Sequence, residues 1–322
     1  MQRTRVGIVR GGPSNEYEVS LKTGKMVFDV LHDSLYEPVD IFIDREGTWH
    51  RGGVPIAPEK AIRDLDVVFN ALHGAYGEDG KIQQLLDKWG VAYTGSGAVP
   101  SALGMNKGLA KKHFAKVGIK TPYFKLLTPT PQLEGELVTI LRSLPLPLVV
   151  KPYNSGSSLG VSIAYSFSDL QKAVAYAFTY AATIVIEEYI AGREGTLGVV
   201  DQFRGQMHYP LLPIEIRPRG KTFFDYEAKY NGLSDEIIPG GFSKDEVGEI
   251  EKAVLMAHQS MGLRHYSRTD FIVHPRRGVF LLEVNTLPRL TEESLLPKSL
   301  KALGVSVEEF LHHIIELALR RK

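Results

Sequence analysis

The apolar positions of the chain follow two periods. Continuous or alternating apolar runs at residues 6–9, 36–43, 66–72, 91–93, 145–152, 183–190, 196–200 and 208–215 predict strands. Side chains of an extended segment alternate between its faces, so such runs suit half-buried or buried sheet. Helical spacing predicts helices near 19–31, 81–89, 132–144 and 169–180. Met105, Leu109, Ala110, Phe114 and Val117 fall on one further helical face, which leaves Lys107 on a polar one. Ile250, Val254, Ala257 and Met261 place another helix. Near the C-terminus Val307, Phe310, Leu311, Ile314, Ile315 and Ala318 form a full stripe, read as core and not as a partner surface.

Strands alternating with helices through residues 1–104 predict a doubly wound parallel sheet in an α/β domain. Ligands of such sheets sit beyond the carboxyl ends of the strands, where the loops around Glu16 and His73 lie. The first loop, Gly-Gly-Pro-Ser-Asn-Glu, lacks the G-x-G-x-x-G spacing of a dinucleotide fingerprint. His73 taken singly suits a loop-stabilising role. Residues 105–193 and 194–322 read as two further α+β units. Within the last, residues 217–242 are rich in Gly, Pro, Lys and Tyr, and their length and aromatic content suit a lid.

Residues 266–285 predict two strands joined by a turn at His274-Pro-Arg-Arg-Gly278. Arg268 and Asp270 share one face of the first strand, and Glu283 and Asn285 share one face of the second. Two carboxylates, an amide oxygen and a guanidinium on one polar surface suit Mg²⁺, a hard cation that takes oxygen ligands. The same residues also suit a solvated hairpin with a cross-strand salt bridge, and the rest of the chain has to decide. An apolar strand delivers Lys151 to Tyr-Asn-Ser-Gly-Ser-Ser-Leu-Gly, a Ser/Gly loop with the chemistry of a phosphate cover. The strand ending in Glu187 and Glu188 resembles a hinge that reads an adenine edge.

Composition removes several classes. The 322 residues carry a net charge of +1, which gives no electrostatic reason to expect nucleic acid or an anionic membrane. With no cysteine, disulfides, thiolate catalysis and cysteine-held metals are excluded. The first residues enter a strand without a signal-peptide pattern, and no apolar run reaches membrane-spanning length, so a cytoplasmic enzyme is expected. No Walker motif, kinase catalytic loop or G-x-S-x-G occurs. What remains is equipment for phosphoryl transfer from ATP, in which positioning and charge neutralisation do most of the catalysis.

The stretches Gly11 to Leu21, Leu72 to Gly80, Tyr93 to Gly97, Lys151 to Gly160, Asp225 to Tyr230, Arg268-Thr-Asp270 and Glu283-Val-Asn-Thr286 carry a family resemblance in their order and spacing. The chain resembles the D-alanine–D-alanine ligases of the ATP-grasp superfamily over almost its whole length. The resemblance implies three α/β domains with ATP gripped between the second and third, and cell-wall precursor synthesis, often in a homodimer. It implies that ATP phosphorylates one D-alanine and that the amine of a second attacks the acyl phosphate. Carried over by motif, Glu16 holds the first ammonium with His73 nearby, and Lys107 and Lys151 neutralise ATP phosphates under the loop containing Ser157 and Ser158. Glu187, the backbone around Glu188 and Ile190, and Glu194 hold adenosine. Asp270, Glu283 and Asn285 bind two Mg²⁺ ions, for which Mn²⁺ is a substitute, and Arg268 stabilises the developing oxyanion. Lys229 reaches phosphate or the second carboxylate, Tyr230 links the lid to Ser157, and Ser294 meets the second carboxylate.

One stretch departs from the family pattern. Arg289 follows Pro288 where the family has glycine, and Glu292 and Glu293 precede Ser294. Arg289 either turns to solvent or adds positive charge near the site. Acids beside Ser294 weaken a carboxylate site unless they face away. This stretch keeps D-serine, D-lactate or another nucleophile open as the second substrate, whereas Tyr230 favours an amine.

Overall fold

The computed structural model describes residues 3–32, 35–153, 160–218 and 234–320. Three sheets organise them. The first runs β4-β3-β2-β1-β5-β6 and is built from β1 (Thr4–Gly11), β2 (Tyr36–Ile43), β3 (Trp49–Arg51), β4 (Val54–Pro55), β5 (Val67–Asn70) and β6 (Ala92–Tyr93). Its strands β2, β1, β5 and β6 are parallel, as the sequence predicts, and β3 and β4 add an antiparallel edge. That edge was not foreseen, because two strands this short leave too few residues for a period to register. Helices α1 (Tyr17–His32), α2 (Pro58–Ala61), α3 (Lys81–Lys88) and α4 (Ala98–Met105) accompany this sheet.

The expected helix over 105–117 is broken at its start. Met105 ends α4, and Asn106 caps α5 (Lys107–Lys116) by accepting the Leu109 N–H at 2.8 Å. Leu109 is accordingly exposed, not part of the apolar face. Ala110 and Phe114 do pack inward, against the third sheet. The second sheet, β7-β10-β8-β9, consists of β7 (Phe124–Leu127), β8 (Leu148–Pro152), β9 (Ser162–Ala164) and β10 (Ile184–Glu188), with α6 (Leu133–Ser143) and α7 (Phe167–Phe178) beside it. Ser166 and Asp169 form a reciprocal capping box at the start of α7.

The third sheet comprises β11 (Arg193–Phe203), β12 (Gln206–Pro210), β13 (Ile214–Pro218), β14 (Ser234–Ile237), β15 (Tyr266–His274) and β16 (Gly278–Asn285). The run at 208–215, read as one strand, is two, β12 and β13. The stretch 217–242, read as irregular, holds the end of β13 and all of β14, which pair antiparallel. Residues 219–233 of that lid lie outside the described set. Helices α8 (Lys244–Ser260), α9 (Leu295–Ala302) and α10 (Val307–Leu319) complete the chain. The apolar stripe of α10 is core, as predicted. Phe310, Leu311, Ile314 and Ile315 are fully buried with Val6, Ile8, Val67 and Phe69 of the first sheet. The last helix thereby ties the C-terminal residues to the first sheet.

Candidate active site

In the β15–β16 hairpin, Arg268 stands opposite Asn285 and Asp270 opposite Glu283. Residues directly paired across strands share a face, so all four project together. Arg268 donates Nε to Asp270 Oδ1 at 3.0 Å and Nη2 to Oδ2 at 3.1 Å. Thr196 on the adjacent β11 donates to Oδ1 at 2.6 Å, and Asn285 Nδ2 lies 3.5 Å from Oδ2. Burial works against the Arg268 charge, but the surrounding carboxylates, Asp270 first and then Glu283 and Glu78, together raise the guanidinium pKa. Lys107, the first residue of α5, pairs with Glu283 at 3.1 Å.

Behind this group lies a buried triad of charges. Glu187 is 3% exposed and pairs with Lys151 at 2.6 Å and with Lys111 at 2.9 Å. Lys111 also donates to Thr121 Oγ1 at 2.9 Å. Burial pushes the Lys111 ammonium down to about 8, against the pull of Glu187. Burial acts to raise the Glu187 carboxyl, and the ammoniums of Lys111 and Lys151 outweigh it and hold it below the usual range. The Glu187 side chain therefore faces two lysines, not open space beside the strand. Glu188 accepts both Nη1 and Nη2 of Arg277, at 2.9 and 3.1 Å, and its N–H donates to the Tyr123 carbonyl. Its side chain ties the second sheet to the turn of the hairpin. Ile190 is buried in a small apolar cluster with Ile272 and Phe280, and Glu194 sits on β11 between Ile216 and Ile272.

The first sheet contributes two loops at the carboxyl ends of its strands. Glu16 precedes α1, and Ser14 Oγ accepts its N–H at 3.1 Å. The Ser14 hydroxyl in turn donates to the carbonyl of His73 at 2.7 Å. Gly74 has φ +71°, and a Cβ there would lie 3.0 Å from Glu16 Oε2, so glycine lets the two loops meet. His73 is 3% exposed, with Nε2 2.9 Å from Thr23 Oγ1. Arg289 Nη2 lies 2.6 Å from Glu16 Oε1.

A cavity of about 490 Å³ joins these parts. It is lined by Glu16, His73, Lys107, Arg268, Asp270, Glu283, Asn285, Arg289 and Ser294. Lys151, Glu187, Glu188, Ile190 and Glu194 are not among its lining residues. Ser157, Ser158, Lys229 and Tyr230 lie outside the described residues. Ser294 stands just before α9, its hydroxyl 2.8 Å from that of Thr291. Glu292 and Glu293 are exposed; Glu292 is not among the cavity-lining residues, whereas Glu293 lines the cavity beside Ser294 and approaches Lys298 at 3.8 Å. Sequence reasoning missed Lys111 and Thr196. The spacing of Lys107 and Lys111, one helical turn apart on one face, was the available signal for the first. Thr196 offered none.

Asp201, His208 and His258 are the one His/Cys/Asp/Glu group among the described residues close enough to share an ion. It lies apart from the cavity lining, and hydrogen bonds already satisfy Asp201. Its carboxylate accepts from His208 at 2.7 Å, His258 at 3.0 Å and the His265 N–H at 2.5 Å.

Comparison with known proteins gives the family. Residues 5–61 and 50–96 match the model of the D-ala D-ala ligase N-terminus, and residues 113–316 match that of the C-terminus. The D-alanine–D-alanine ligase of Pelotomaculum thermopropionicum is 36% identical over 320 residues, covering 98% of this chain and 96% of that protein. The Bacillus anthracis D-alanine–D-alanine ligase, solved in complex with ATP, is 33% identical with a TM-score of 0.81, covering 99% and 98% of the two chains. The VanG D-Ala:D-Ser ligase of Enterococcus faecalis is 27% identical with a TM-score of 0.84, covering 98% and 100%. The chain is an enzyme, a ligase, and it belongs to the D-alanine–D-alanine ligase family.

Proposed function

We propose that this chain joins two D-alanines at the expense of ATP, through a D-alanyl phosphate, to give D-alanyl-D-alanine for peptidoglycan. The observation that carries the reading is one cavity with Glu16 on one wall and the Arg268, Asp270, Glu283, Asn285 surface on the other. An ammonium-binding carboxylate and a phosphate-handling surface are the two needs of an amino acid activated by phosphorylation.

In this reading a carboxylate oxygen of the first D-alanine attacks the γ-phosphorus of ATP, and ADP leaves. The neutral amine of the second D-alanine then attacks the acyl carbon, phosphate leaves with the oxygen that joined it, and the proton lost from the new C–N bond's nitrogen leaves with that phosphate. Glu16 and the His73 loop hold the first ammonium. Lys107 and Lys151 neutralise the transferring phosphoryl group, and Arg268 faces the charge that develops on the tetrahedral oxygen. Lys111 acts one layer back, pairing with Glu187 so that Lys151 is held in place. The oxygens of Asp270, Glu283 and Asn285 fit Mg²⁺ by their hardness and shared face. When bound, such ions supply charge neutralisation of the phosphates. Glu187, Glu188, Ile190 and Glu194 border the adenosine, with Glu187 and Glu188 contributing backbone rather than carboxylates. For Ser157, Ser158, Lys229 and Tyr230, which lie outside the described residues, the reading rests on the family motif alone: the serines and Lys229 for phosphate, Lys229 alternatively for the second carboxylate, and Tyr230 for a link to Ser157. Ser294, at the N-terminal end of α9, receives the second carboxylate. The units 1–104, 105–193 and 194–322 act as substrate domain and nucleotide clasp, in a cytoplasmic homodimer. No helix of the described residues is long and apolar enough to cross a membrane.

Likeness to a D-Ala:D-Ser ligase favours one second reading, D-serine as the attacking amine. Purified protein with Mg²⁺–ATP and D-alanine, L-alanine or D-alanine plus D-serine separates the two. ADP release with a D-alanyl-D-alanine mass from the D-isomer alone is expected. A D-alanyl-D-serine mass in preference moves the second substrate, and ADP without either dipeptide defeats the reading.

A further inference from the structure

The chain crosses from the second sheet to the third through residues 189–192, between the end of β10 at Glu188 and the start of β11 at Arg193. A second, non-covalent link joins the same two sheets. Arg277, in the turn between β15 and β16, donates Nη1 to Glu188 Oε2 at 2.9 Å and Nη2 to Oε1 at 3.1 Å. A planar guanidinium that meets both carboxylate oxygens fixes orientation as well as distance. The same guanidinium lies over the Phe280 ring, 4.5 Å from its centroid. Phe280 packs with Ile190 and Ile272 in one small buried cluster. Glu188 Oε1 also accepts the Tyr123 N–H at 3.1 Å, and the Lys120 ammonium donates to the Arg277 carbonyl at 2.6 Å. One arginine side chain thus touches both Glu188 and the cluster that seats Ile190, at the two ends of the stretch read as the adenosine edge.

We infer that Arg277 is a positioning residue for the nucleotide, a latch that holds the β15–β16 turn to the end of β10 and so sets the backbone of Glu188 and Ile190. This rests on the reading that the same backbone borders adenosine. Removing the guanidinium strands no charge. Glu188 keeps the Tyr123 N–H, and the turn keeps its bond from Lys120. What is lost is the side-chain link between the end of β10 and the turn. Nucleotide must then order the crossing as it binds, and that ordering is subtracted from its affinity. Neither Arg277 nor Glu188 lines the cavity that holds Glu16 and Arg268, so the amino-acid site should not feel the change. The Arg277 side chain is 41% exposed and that of Glu188 17%, which keeps the expected effect modest.

Calorimetric titration of the full-length chain with Mg²⁺–ATP, and separately with D-alanine, gives the two dissociation constants that decide it. Arg277→Gln is expected to weaken ATP about three- to five-fold and to move D-alanine by less than about two-fold. In a Glu188→Ala background the link is already broken, so the same Arg277→Gln change should weaken ATP by less than about two-fold further. ATP affinity unmoved by Arg277→Gln overturns the latch. So does an equal cost of Arg277→Gln in both backgrounds, or D-alanine weakening in step with ATP, as a general loss of structure would produce. Dipeptide mass measured on the wild-type protein tests the ligase reading separately. A missing dipeptide speaks against that reading, and the ATP constants of the variants still judge the latch.

Discussion

Lys111 has no exposed surface, yet burial leaves its ammonium with a pKa of about 8, so it is still mostly charged at neutral pH. Glu187 makes this tolerable, and Glu187 is in turn shared with Lys151. Removing one member of a buried ion group leaves an under-compensated charge, which is costlier than the group was stabilising. Lys111→Met should destabilise the chain by about 3 kcal/mol at pH 7, whereas Lys112→Met, at the exposed neighbouring position, should stay within about 0.5 kcal/mol. Denaturant unfolding of the two variants checks this, and equal midpoints would show that Lys111 is a spectator. Neither this pair nor Arg289–Glu16 was legible locally. Partners some 76 and 273 positions apart leave no mark on any short window, and only the fold brings them together.

Between elements, His265 is the joint that pH can open. It stands at the start of β15 with φ 67°, and its Nδ1 accepts the N–H of Gly95 at 3.0 Å from the loop after β6. An accepting Nδ1 carries no proton. Burial accordingly lowers its pKa from 6.5 to about 4, against the pull of Asp201. Between those values the unfolded chain binds a proton that the folded chain refuses, so stability from this residue is complete above about pH 6.5. It is lost as pH falls toward 4, by about 3 kcal/mol in all. Asn tolerates positive φ and offers an acceptor oxygen without titrating. His265→Asn should therefore lose less melting temperature than wild type between pH 7 and pH 4. Parallel melting curves for the two proteins across that range would contradict the assignment. By contrast the hairpin residues Arg268, Asp270, Glu283 and Asn285 could be read from the sequence. Alternation fixes which residues share a face of each strand, but the register across them was not legible: the turn pairs Phe271 with Leu281, and a β-bulge between Asp270 and Phe271 then shifts the pairing by one residue and sets Asp270 opposite Glu283. The edge hairpin β3–β4 and the break between α4 and α5 escaped the same reading. The first is too short to show a period, and the second depends on an Asn cap that interrupts an otherwise continuous apolar stripe.

Across the whole molecule, three sheets bring one wall of the cavity from the first sheet and the other from the third, while α10 anchors the third unit's end in the first sheet's core. Glu16 and the Asp270–Glu283 face therefore meet only if that packing holds, which is why the substrate and phosphate residues are so far apart in sequence. The most direct test of the central claim follows one atom across this cavity. With D-alanine carrying ¹⁸O in both carboxylate oxygens, activation through an acyl phosphate predicts that one ¹⁸O appears in the released phosphate for each D-alanyl-D-alanine formed, read by mass spectrometry. Dipeptide accompanied by unlabelled phosphate would contradict phosphorylation of the substrate carboxylate, and with it the mechanism proposed for this site.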